Sequence, residues 1–322
     1  MAFPNITDIV TTTMQARTLA VKDNVAKNNA VIARLKEKGK IRTVDGGSQI
    51  LEPFSFQENQ NFSWYSGYDL LPVAAQDVVT GAQFQFKQAA VPVVVSGLEL
   101  LQNSGKEAAI NLLENRIAVA EATLINNLTE GIYSDGTGAG GKQIVGLLAV
   151  APVDPTTGVY GGIDRSLWPF WRSYLTTTGG SNPTAANVQG FMNTHWAKLV
   201  RGKDKPDLIV MDSNFWGIYM ASLQAIQRFV DVDTAKLGFP SVKFMTADVV
   251  LDGGIGGFCP SWSCWYLNSD YLYFRPHKDR DMVPLSPQKR YAINQDAEVQ
   301  ILAWAGAMTC GGAQFQGFLK GY

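Results

Sequence analysis

The sequence has little charge. Asp, Glu, Lys and Arg make up 17% of its 322 residues, whereas ordinary soluble domains have roughly 25%. Hydrophobic residues reach 46% and aromatic residues 11%, so a free monomer would carry more apolar surface than is usual. Either the chain folds around one large core, or other copies cover much of its surface. The composition favours the second interpretation.

Four further absences narrow the range of possible functions. The chain has three cysteines, Cys259, Cys264 and Cys310. This number is small and odd, which argues against a disulfide framework. No apolar run approaches the roughly 18 residues of a membrane span, and the N-terminus lacks the pattern of a secretory signal. A net charge of −1 provides no basic field that would grip nucleic acid. We expect synthesis in a reducing cytoplasm and no membrane partner.

Histidine is also scarce, which removes most candidates for general acid–base catalysis. His195 falls within a predicted helix, and His277 falls in a charged turn. A Cys264–His277 nucleophile pair can be imagined, but no motif selects it. Cys259 and Cys264 alone would leave a zinc ion short of ligands, so each is better explained as a small buried hydrophobic residue.

Two other patterns resemble functional motifs but lack the sequence context that those motifs require. Glycines in residues 136–141 match a dinucleotide-binding spacing, but they follow a predicted helix and precede a strand-like run at 144–150. The motif requires the reverse order. Paired aspartates near residues 231 and 279 are best explained as solvated charge. We therefore predict no enzyme activity, no cofactor-binding residue and no metal ligand.

The first part of the chain contains two segments of opposite charge. Residues 1–42 carry eight Lys or Arg and three acids. A helical pattern covers residues 6–38 until Gly39 ends it, but its uneven helix propensity favours an extended arm with one or two short helices over one continuous helix. Residues 43–86 carry five acids and no Lys or Arg. Opposite charges on adjacent segments favour docking between neighbouring copies, or contact within one chain.

The acidic segment has the pattern of a long two-stranded loop. Residues 49–57 and 83–87 are strand-like, and Pro53 and Pro92 restrict their strands to edge positions or bulges. An isolated hairpin of this length is marginally stable in water. We expect its tip to pack on a neighbouring subunit, the alternative being that its rings pack inside their own chain. The rings are Phe62, Trp64, Tyr65 and Tyr68.

The strongest helix signal follows this loop. Ser96 with Glu99 and Ser104 with Glu107 form two consecutive capping boxes. Apolar residues then recur at spacings of three and four, which predicts a helix over about 104–133 with one buried stripe. The stripe consists of Ile110, Leu113, Ile117, Ala120, Leu124, Leu128 and Ile132.

Helices and strands alternate in the second half of the chain. A helix is expected from Asn182-Pro183 to about residue 200, and Asp212 is expected to cap another that reaches about residue 229. No internal repeat is visible. The strand-like segments are 207–211, 241–251, 263–267, 271–274 and 298–304.

The order of these parts resembles the major capsid proteins of tailed phages, which share the Hong Kong 97 fold. The resemblance extends over essentially the whole chain and depends on the order of its parts rather than on one motif. Four stretches are similar to coat proteins of the podovirus and siphovirus type: residues 23–30 (DNVAKNNA), 64–68 (WYSGY), 96–107 (SGLELLQNSGKE) and 132–137 (IYSDGT).

The resemblance implies an α+β fold and a structural protein. Copies would assemble into hexamers and pentamers of an icosahedral phage head that encloses double-stranded DNA. The implied partners are a portal, a cement or decoration protein, and weakly held DNA; the implied location is the virion, after synthesis in the host cytoplasm. The implied regions are an N-terminal arm (1–44), an E-loop (45–95), a peripheral domain (96–180) with a spine helix (104–133), an axial domain (181–270) and a return to the peripheral domain (271–322).

Two departures from the family refine this expectation. The arm begins at Met1, so we expect a separate scaffolding protein. The loop has no lysine between Lys40 and Lys87, so it lacks the amine for a covalent cross-link and is expected to interlock non-covalently. The alternatives are an encapsulin-like nanocompartment shell protein and a soluble α/β enzyme. The predicted assembly contacts are Phe62, Trp64, Tyr65, Tyr68, Arg17, Arg34 and Arg42.

Overall fold

The computed structural model describes residues 29–102, 106–223, 241–253, 257–285, 290–291 and 297–322. Short 3-10 turns at Pro169–Trp171, Ser269–Tyr271 and Ala313–Phe315, and a helical turn at Gly138–Gly141, connect longer elements. The α-helices within these residues are α1 (Ala30–Glu37), α2 (Gly97–Gln102), α3 (Lys106–Ile132), α4 (Leu147–Val150), α5 (Val188–Leu199) and α6 (Ser213–Leu223).

The described strands form four sheets. Two are small: β1 (Ile50–Ser55) pairs with β2 (Val79–Phe84), and β4 (Val159–Tyr160) pairs with β5 (Ile163–Asp164). In a five-stranded sheet, the long strand β14 (Ala297–Cys310) pairs with β3 (Lys87–Ser96), β11 (Leu272–Pro276), β12 (Val283–Pro284) and β13 (Arg290–Tyr291). A six-stranded mixed sheet has the order β6 (Tyr174–Thr177), β15 (Gly317–Lys320), β10 (Ser263–Leu267), β7 (Leu208–Met211), β9 (Ala247–Leu251) and β8 (Ser241–Phe244).

Both prolines of the loop strands lie at sheet edges, as predicted. Pro53 of β1 faces Gly81 of β2 in a sheet of two strands. Pro92 lies in β3, which pairs with β14 and with no other described strand. Because proline has no N–H to contribute to a ladder, an edge position sacrifices no hydrogen bond. The strand predicted at 49–57 is confirmed. The strand predicted at 83–87 is wrong in its position, because β2 ends at Phe84, β3 begins at Lys87, and residues 85–86 belong to neither strand.

The long helix is confirmed as α3. The first capping box starts the short helix α2: the Ser96 N–H donates to Glu99 Oε2 at 3.2 Å, and the Glu99 N–H donates to Ser96 Oγ at 3.3 Å. The second box, at Ser104, and the side chains of Ile110 and Leu113 lie outside the described part of the chain. The rest of the stripe is buried: Ile117, Ala120, Leu124, Leu128 and Ile132.

The basic arm enters the described region at α1. The Asn29 side chain caps this helix by accepting hydrogen bonds from the N–H groups of Val31 and Ile32. At the other end Gly39 adopts a left-handed φ of 64°, and its N–H donates to the carbonyl of Lys36. The glycine stop is therefore confirmed. The rest of the arm, which is predicted to be extended with one or two short helices, lies outside the described residues up to residue 28.

The six-stranded sheet is buried on both faces. Leu208 and Val210 of β7 join the core that contains α3 and the five-stranded sheet. Ile209 and Met211 join a second core formed with α5 and α6. Successive side chains of a strand point to opposite faces, so the fully apolar sequence of β7 is explained by burial on both sides. Strands β6 and β15 of this sheet lie outside the segment 181–270.

Two boundary predictions in this region are wrong. Helix α5 begins at Val188 rather than at Asn182-Pro183, because Thr184 and Asn187 form a turn in which the Thr184 N–H donates to Asn187 Oδ1 at 2.7 Å. The segment 241–251 forms two strands, β8 and β9, joined by a tight turn with Met245 at φ 53°. The strands predicted at 207–211, 263–267 and 271–274 are confirmed, and the one at 298–304 extends to the whole of β14.

The apolar run at 144–150 is also misassigned, because it ends in the helix α4 rather than forming a strand. Its start is fixed by Gly146, whose Cα lies so close to the Ile132 carbonyl that any Cβ would clash with it. Periodicity alone does not distinguish a short buried strand from a short buried helix. The glycine turn before it follows a helix, so the context of a dinucleotide-binding loop is missing.

Candidate assembly surface

The stem of the long loop is anchored to the body by a buried ion pair. Oε1 of Glu52, in β1, lies 2.6 Å from Nη2 of Arg275 in β11. The same carboxylate oxygen accepts a hydrogen bond of 2.8 Å from the Thr309 hydroxyl in β14. Glu52 is buried, and a buried carboxylate is tolerated only with such partners. The stem therefore has a fixed attachment to the five-stranded sheet.

Aromatic side chains strengthen this attachment. The ring of Phe54 stacks on Trp171, with ring centroids 4.6 Å apart. Phe84 of the other stem strand contacts Tyr160 edge to face at 5.3 Å, and Trp171 donates its indole N–H to the Tyr160 carbonyl. Stacked and edge-to-face pairs add stability beyond the area that they bury. The stem is thus held as a defined projection from the body.

The loop tip, which we define as residues 58–76, has local order but no core. The Gln57 side chain donates to the Asp77 carbonyl at 2.6 Å and closes the base of the tip. The Asn61 side chain donates to the Ala74 carbonyl, and the Ser66 N–H donates to Asp69 Oδ2 at 2.8 Å. These bonds shape the backbone of the tip, but they bury none of its apolar side chains.

The four predicted aromatic contacts are all exposed. Their exposed fractions are 72% for Phe62, 92% for Trp64, 66% for Tyr65 and 105% for Tyr68. Phe62 and Trp64 contact each other at 5.4 Å, yet neither is buried against the body. The described part of the chain therefore does not bury these rings, and their contact with a neighbour stays a prediction. Leu70 and Val73 add to the same exposed surface.

The three arginines predicted as assembly contacts have different outcomes. Arg17 lies outside the described residues. Arg34 is corrected to an intrachain position: its guanidinium lies 3.1 Å from Asp207 and 3.1 Å from Asp248, and joins α1 to the six-stranded sheet. Arg42 is exposed, with its guanidinium 5.6 Å from the centre of the Tyr273 ring. Arg42 remains a candidate contact.

No catalytic arrangement is found among the described residues. Cys264 is buried in the six-stranded sheet, whereas His277 follows β11 of the five-stranded sheet, so the fold places the two on different sheets. Burial raises the pKa of the Cys264 thiol well above its usual value and that of Cys310 to about 12. A thiol that stays protonated is a poor nucleophile.

Other site types are equally absent from the part of the chain that the structure describes. There, His, Cys, Asp and Glu side chains form no group of three or more that could hold a metal. None of the described helices combines the length and hydropathy of a membrane span. His195 is buried between the rings of Tyr174 and Tyr266, and burial lowers its pKa to about 3. It is a neutral core residue at physiological pH.

One buried polar contact could not be foreseen from the sequence. The Tyr133 hydroxyl, just after α3, donates a hydrogen bond to the Asp252 carboxylate after β9. Burial raises the pKa of both groups. The contact joins the end of the long helix to the six-stranded sheet. Its two residues lie more than a hundred positions apart in the sequence, so no local sequence pattern predicts it.

Neither a protein-family model nor a curated protein sequence matches this chain. Solved structures do match it. The capsid asymmetric unit of cyanophage A-1(L) aligns with a TM-score of 0.63 at 16% identity, over 88% of this chain and 92% of that chain. This chain has the Hong Kong 97-type capsid fold.

Other structures share the capsid fold with similar coverage. The capsid of an empty GTA particle aligns with a TM-score of 0.58 at 14% identity, over 88% of this chain and 94% of that chain. A Mycobacterium phage Bobi structure aligns at 0.54 and 13% identity, over 88% and 89%. The predicted α+β class and fold type are thus confirmed. In a capsid fold, the exposed loop tip is the outstanding candidate for contact between copies.

Proposed function

We propose that this chain is the major capsid protein of a tailed phage, and that copies of it form the hexamers and pentamers of an icosahedral head around double-stranded DNA. One observation carries the proposal: a capsid fold projects a loop whose apolar tip is left exposed by the described residues of its own chain. A shell subunit needs large contact areas and extensions that reach its neighbours.

The energetics of the tip support assembly. Fully burying one large apolar side chain stabilises a structure by about 1.5–3 kcal/mol, and the tip exposes several such side chains. In a closed lattice every subunit makes the same contacts, so modest single contacts add up to a stable shell. The contacts are non-covalent, since the loop contains no lysine between Lys40 and Lys87.

The further partners follow from this function. A separate scaffolding protein would guide assembly, a portal would occupy one vertex, and a cement or decoration protein would bind the outer surface. The net charge of −1 supports a wall that contacts packaged DNA weakly and without sequence preference. The mature protein would be located in the virion after synthesis in the host cytoplasm.

Electron microscopy tests the proposal directly. We expect the protein, expressed with the scaffolding protein of its own gene cluster, to form closed shells that sediment far faster than a monomer. Shells that package double-stranded DNA in infected cells support the phage head, whereas shells filled with a protein cargo would indicate a nanocompartment. The proposal would be refuted if the protein stayed a monodisperse monomer, without shells, both when expressed with the scaffolding protein and in infected cells.

A further inference from the structure

The end of the long helix lies at a junction of three chain segments. Tyr133 follows α3 directly, and its hydroxyl donates a hydrogen bond to the carboxylate of Asp252, which follows β9. The side-chain amide of Asn29, which caps α1, lies beside the same hydroxyl. All three side chains are buried. One hydrogen bond at the centre of this junction therefore connects the long helix to the six-stranded sheet.

The chain after β9 folds back on itself at this junction. The Cys259 N–H donates to the Asp252 carbonyl at 3.2 Å, which closes a loop over residues 252–259. A Cβ on Gly257 would lie within 2.4 Å of the Gly253 backbone, so only glycine permits this close approach. The two ends of the loop are thus held together by backbone contacts, and the Asp252 side chain points from its base toward α3.

The Asp252 carboxylate lacks a counter-ion. Among the described residues, no Lys or Arg forms an ion pair with it. Burial raises the pKa of Asp252 above its ordinary value of 3.8 and outweighs the hydrogen bonds from the Tyr133 hydroxyl and the Phe258 N–H, which favour the charged form. A buried carboxyl group without a cation is more stable when it is protonated.

The other titratable groups near Asp252 do not supply the missing cation. Burial raises the pKa of Tyr133 and of Cys259 well above their usual values, so both side chains stay neutral at physiological pH. Asp212, after β7, is a second acid near Cys259. Lys320, on β15, donates its ammonium N–H to the Ser261 carbonyl at 2.9 Å. An ionised Asp252 would therefore stay uncompensated in the closed junction.

We propose that the Tyr133–Asp252 contact is a pH-sensitive latch between the long helix and the six-stranded sheet. While Asp252 is protonated, the latch is closed and the loop 252–259 is held at the end of α3. When the carboxyl group loses its proton, its burial becomes unfavourable, so the loop opens and water reaches the charge. The inference concerns contacts within one chain and does not depend on the proposed shell function.

Opening of the latch should increase as the pH rises. In the open loop the Asp252 carboxyl has its ordinary pKa of 3.8, and in the closed loop burial raises that pKa. The equilibrium constant for opening should therefore increase by up to about tenfold per pH unit above pH 3.8, until the pH reaches the pKa of the closed form. The stability that the latch contributes is present in acid and is lost as the pH rises. His195, whose pKa burial lowers, acts in the opposite direction.

Hydrogen exchange of the full-length, unassembled chain tests the latch. Exchange is followed by mass spectrometry from about pH 4 to about pH 8 in peptides that cover residues 125–137 and 247–267, with correction for the intrinsic pH dependence of exchange. Asp252→Asn keeps the shape of the side chain and cannot ionise. We expect both peptides to exchange faster in the unmodified chain than in this variant, by a factor that grows with pH. Asp279→Asn, in an exposed turn, makes the same chemical change elsewhere and should match the unmodified chain.

Tyr133→Phe distinguishes a latch from simple packing. The tyrosine hydroxyl favours the charged form of Asp252, so its removal should raise the pKa of the closed form further. Opening should then continue to increase up to a higher pH than in the unmodified chain, whereas a loss of packing alone would speed exchange equally at every pH. The latch would be ruled out if Tyr133→Phe left this pH range unchanged, or if Asp252→Asn showed the same pH dependence as the unmodified chain.

The thiol of Cys259 provides a second measurement that needs no change at Asp252. Cys264 and Cys310 are fully buried, whereas Cys259 is half-buried. Between about pH 5 and about pH 7.5, labelling of Cys259 by a maleimide, relative to labelling of glutathione at the same pH, should accelerate as the latch opens. Cys259→Ser identifies the signal of this thiol. A relative rate that stays constant over this range would contradict the latch even if Asp252→Asn failed to fold.

Discussion

At the residue scale, His195 makes the fold sensitive to acid. Its Nδ1 lies 2.8 Å from the Thr176 hydroxyl, and the ring is buried between two tyrosines. Burial holds its pKa at about 3 in the folded chain, below the ordinary value of 6.5. The unfolded chain therefore binds a proton first as the pH falls, and stability is lost between about pH 6.5 and pH 3.

We expect this residue to contribute a slope of up to about 1.4 kcal/mol per pH unit to the free energy of unfolding between pH 6 and pH 4. His195→Gln should remove that slope while lowering stability at pH 7 through imperfect packing. Denaturant unfolding of the unassembled subunit at a series of pH values measures both effects. His277→Gln, at a half-exposed turn, is the control. An unchanged slope in His195→Gln would contradict this assignment.

A second residue pair tests which face of α3 is buried. Ile117 is fully buried in the main core, whereas Val119, two residues along the same helix, is 66% exposed. Ile117→Asp would place an unpaired charge in an apolar environment, at a cost that exceeds the whole stability of an ordinary domain of about 5–15 kcal/mol if the charge is retained. We expect it to prevent folding, and Val119→Asp to give soluble protein. Circular dichroism and solubility of the two variants decide the matter; folded Ile117→Asp protein would refute the assigned stripe.

At the scale of elements, we expect the loop tip to be required for assembly and not for folding. Phe56 and Val78 are hydrogen-bonded at 3.1 Å, and Gln57 bonds to the Asp77 carbonyl, so the stem closes before the tip begins. Replacing residues 58–76 with Asn-Gly, which forms the tight turn of a two-residue hairpin, should keep the stem intact. The subunit should remain folded and lose shell formation.

The measurement combines circular dichroism for folding with electron microscopy for shells. A control variant carries a serine at Leu167, which is 72% exposed and lies outside the tip; it should assemble normally. Normal shells from the Asn-Gly variant would show that the loop tip is dispensable. Loss of folding would show instead that the tip supports the body.

Elements with strong local signals could be predicted from the sequence. The Ser96–Glu99 capping box and the stripe of α3 depend on residues three or four positions apart, and they appear where expected. The run at 144–150 could not be assigned, because its helix depends on how Gly146 packs against α3. The intrachain role of Arg34 could not be predicted either, since Asp207 and Asp248, the carboxylate partners that join it to the six-stranded sheet, lie more than 170 positions along the chain.

At the scale of the whole molecule, the two arms of the chain have different attachments. The basic arm is joined to the body through α1, where Arg34 contacts Asp207 and Asp248. The loop is joined through its stem and leaves its tip exposed. Within the described part of the chain, the tip gathers the largest run of exposed apolar side chains. In the proposed shell a neighbour would cover this surface, which would account for a chain that is poor in charge and rich in aromatic residues.

Shells of this protein should be held together without covalent bonds. The loop tip lacks the lysine that a cross-link would need, and Cys264 and Cys310 are buried in the body of each subunit. We expect purified mature shells, heated in detergent without reductant, to migrate as single chains. A ladder of higher masses would contradict non-covalent interlocking and would point to a lysine outside the loop tip, such as Lys87 or Lys142. Because apolar and charged contacts would then carry the whole stability of the lattice, replacing the tip rings together should weaken the shell far more than any single replacement.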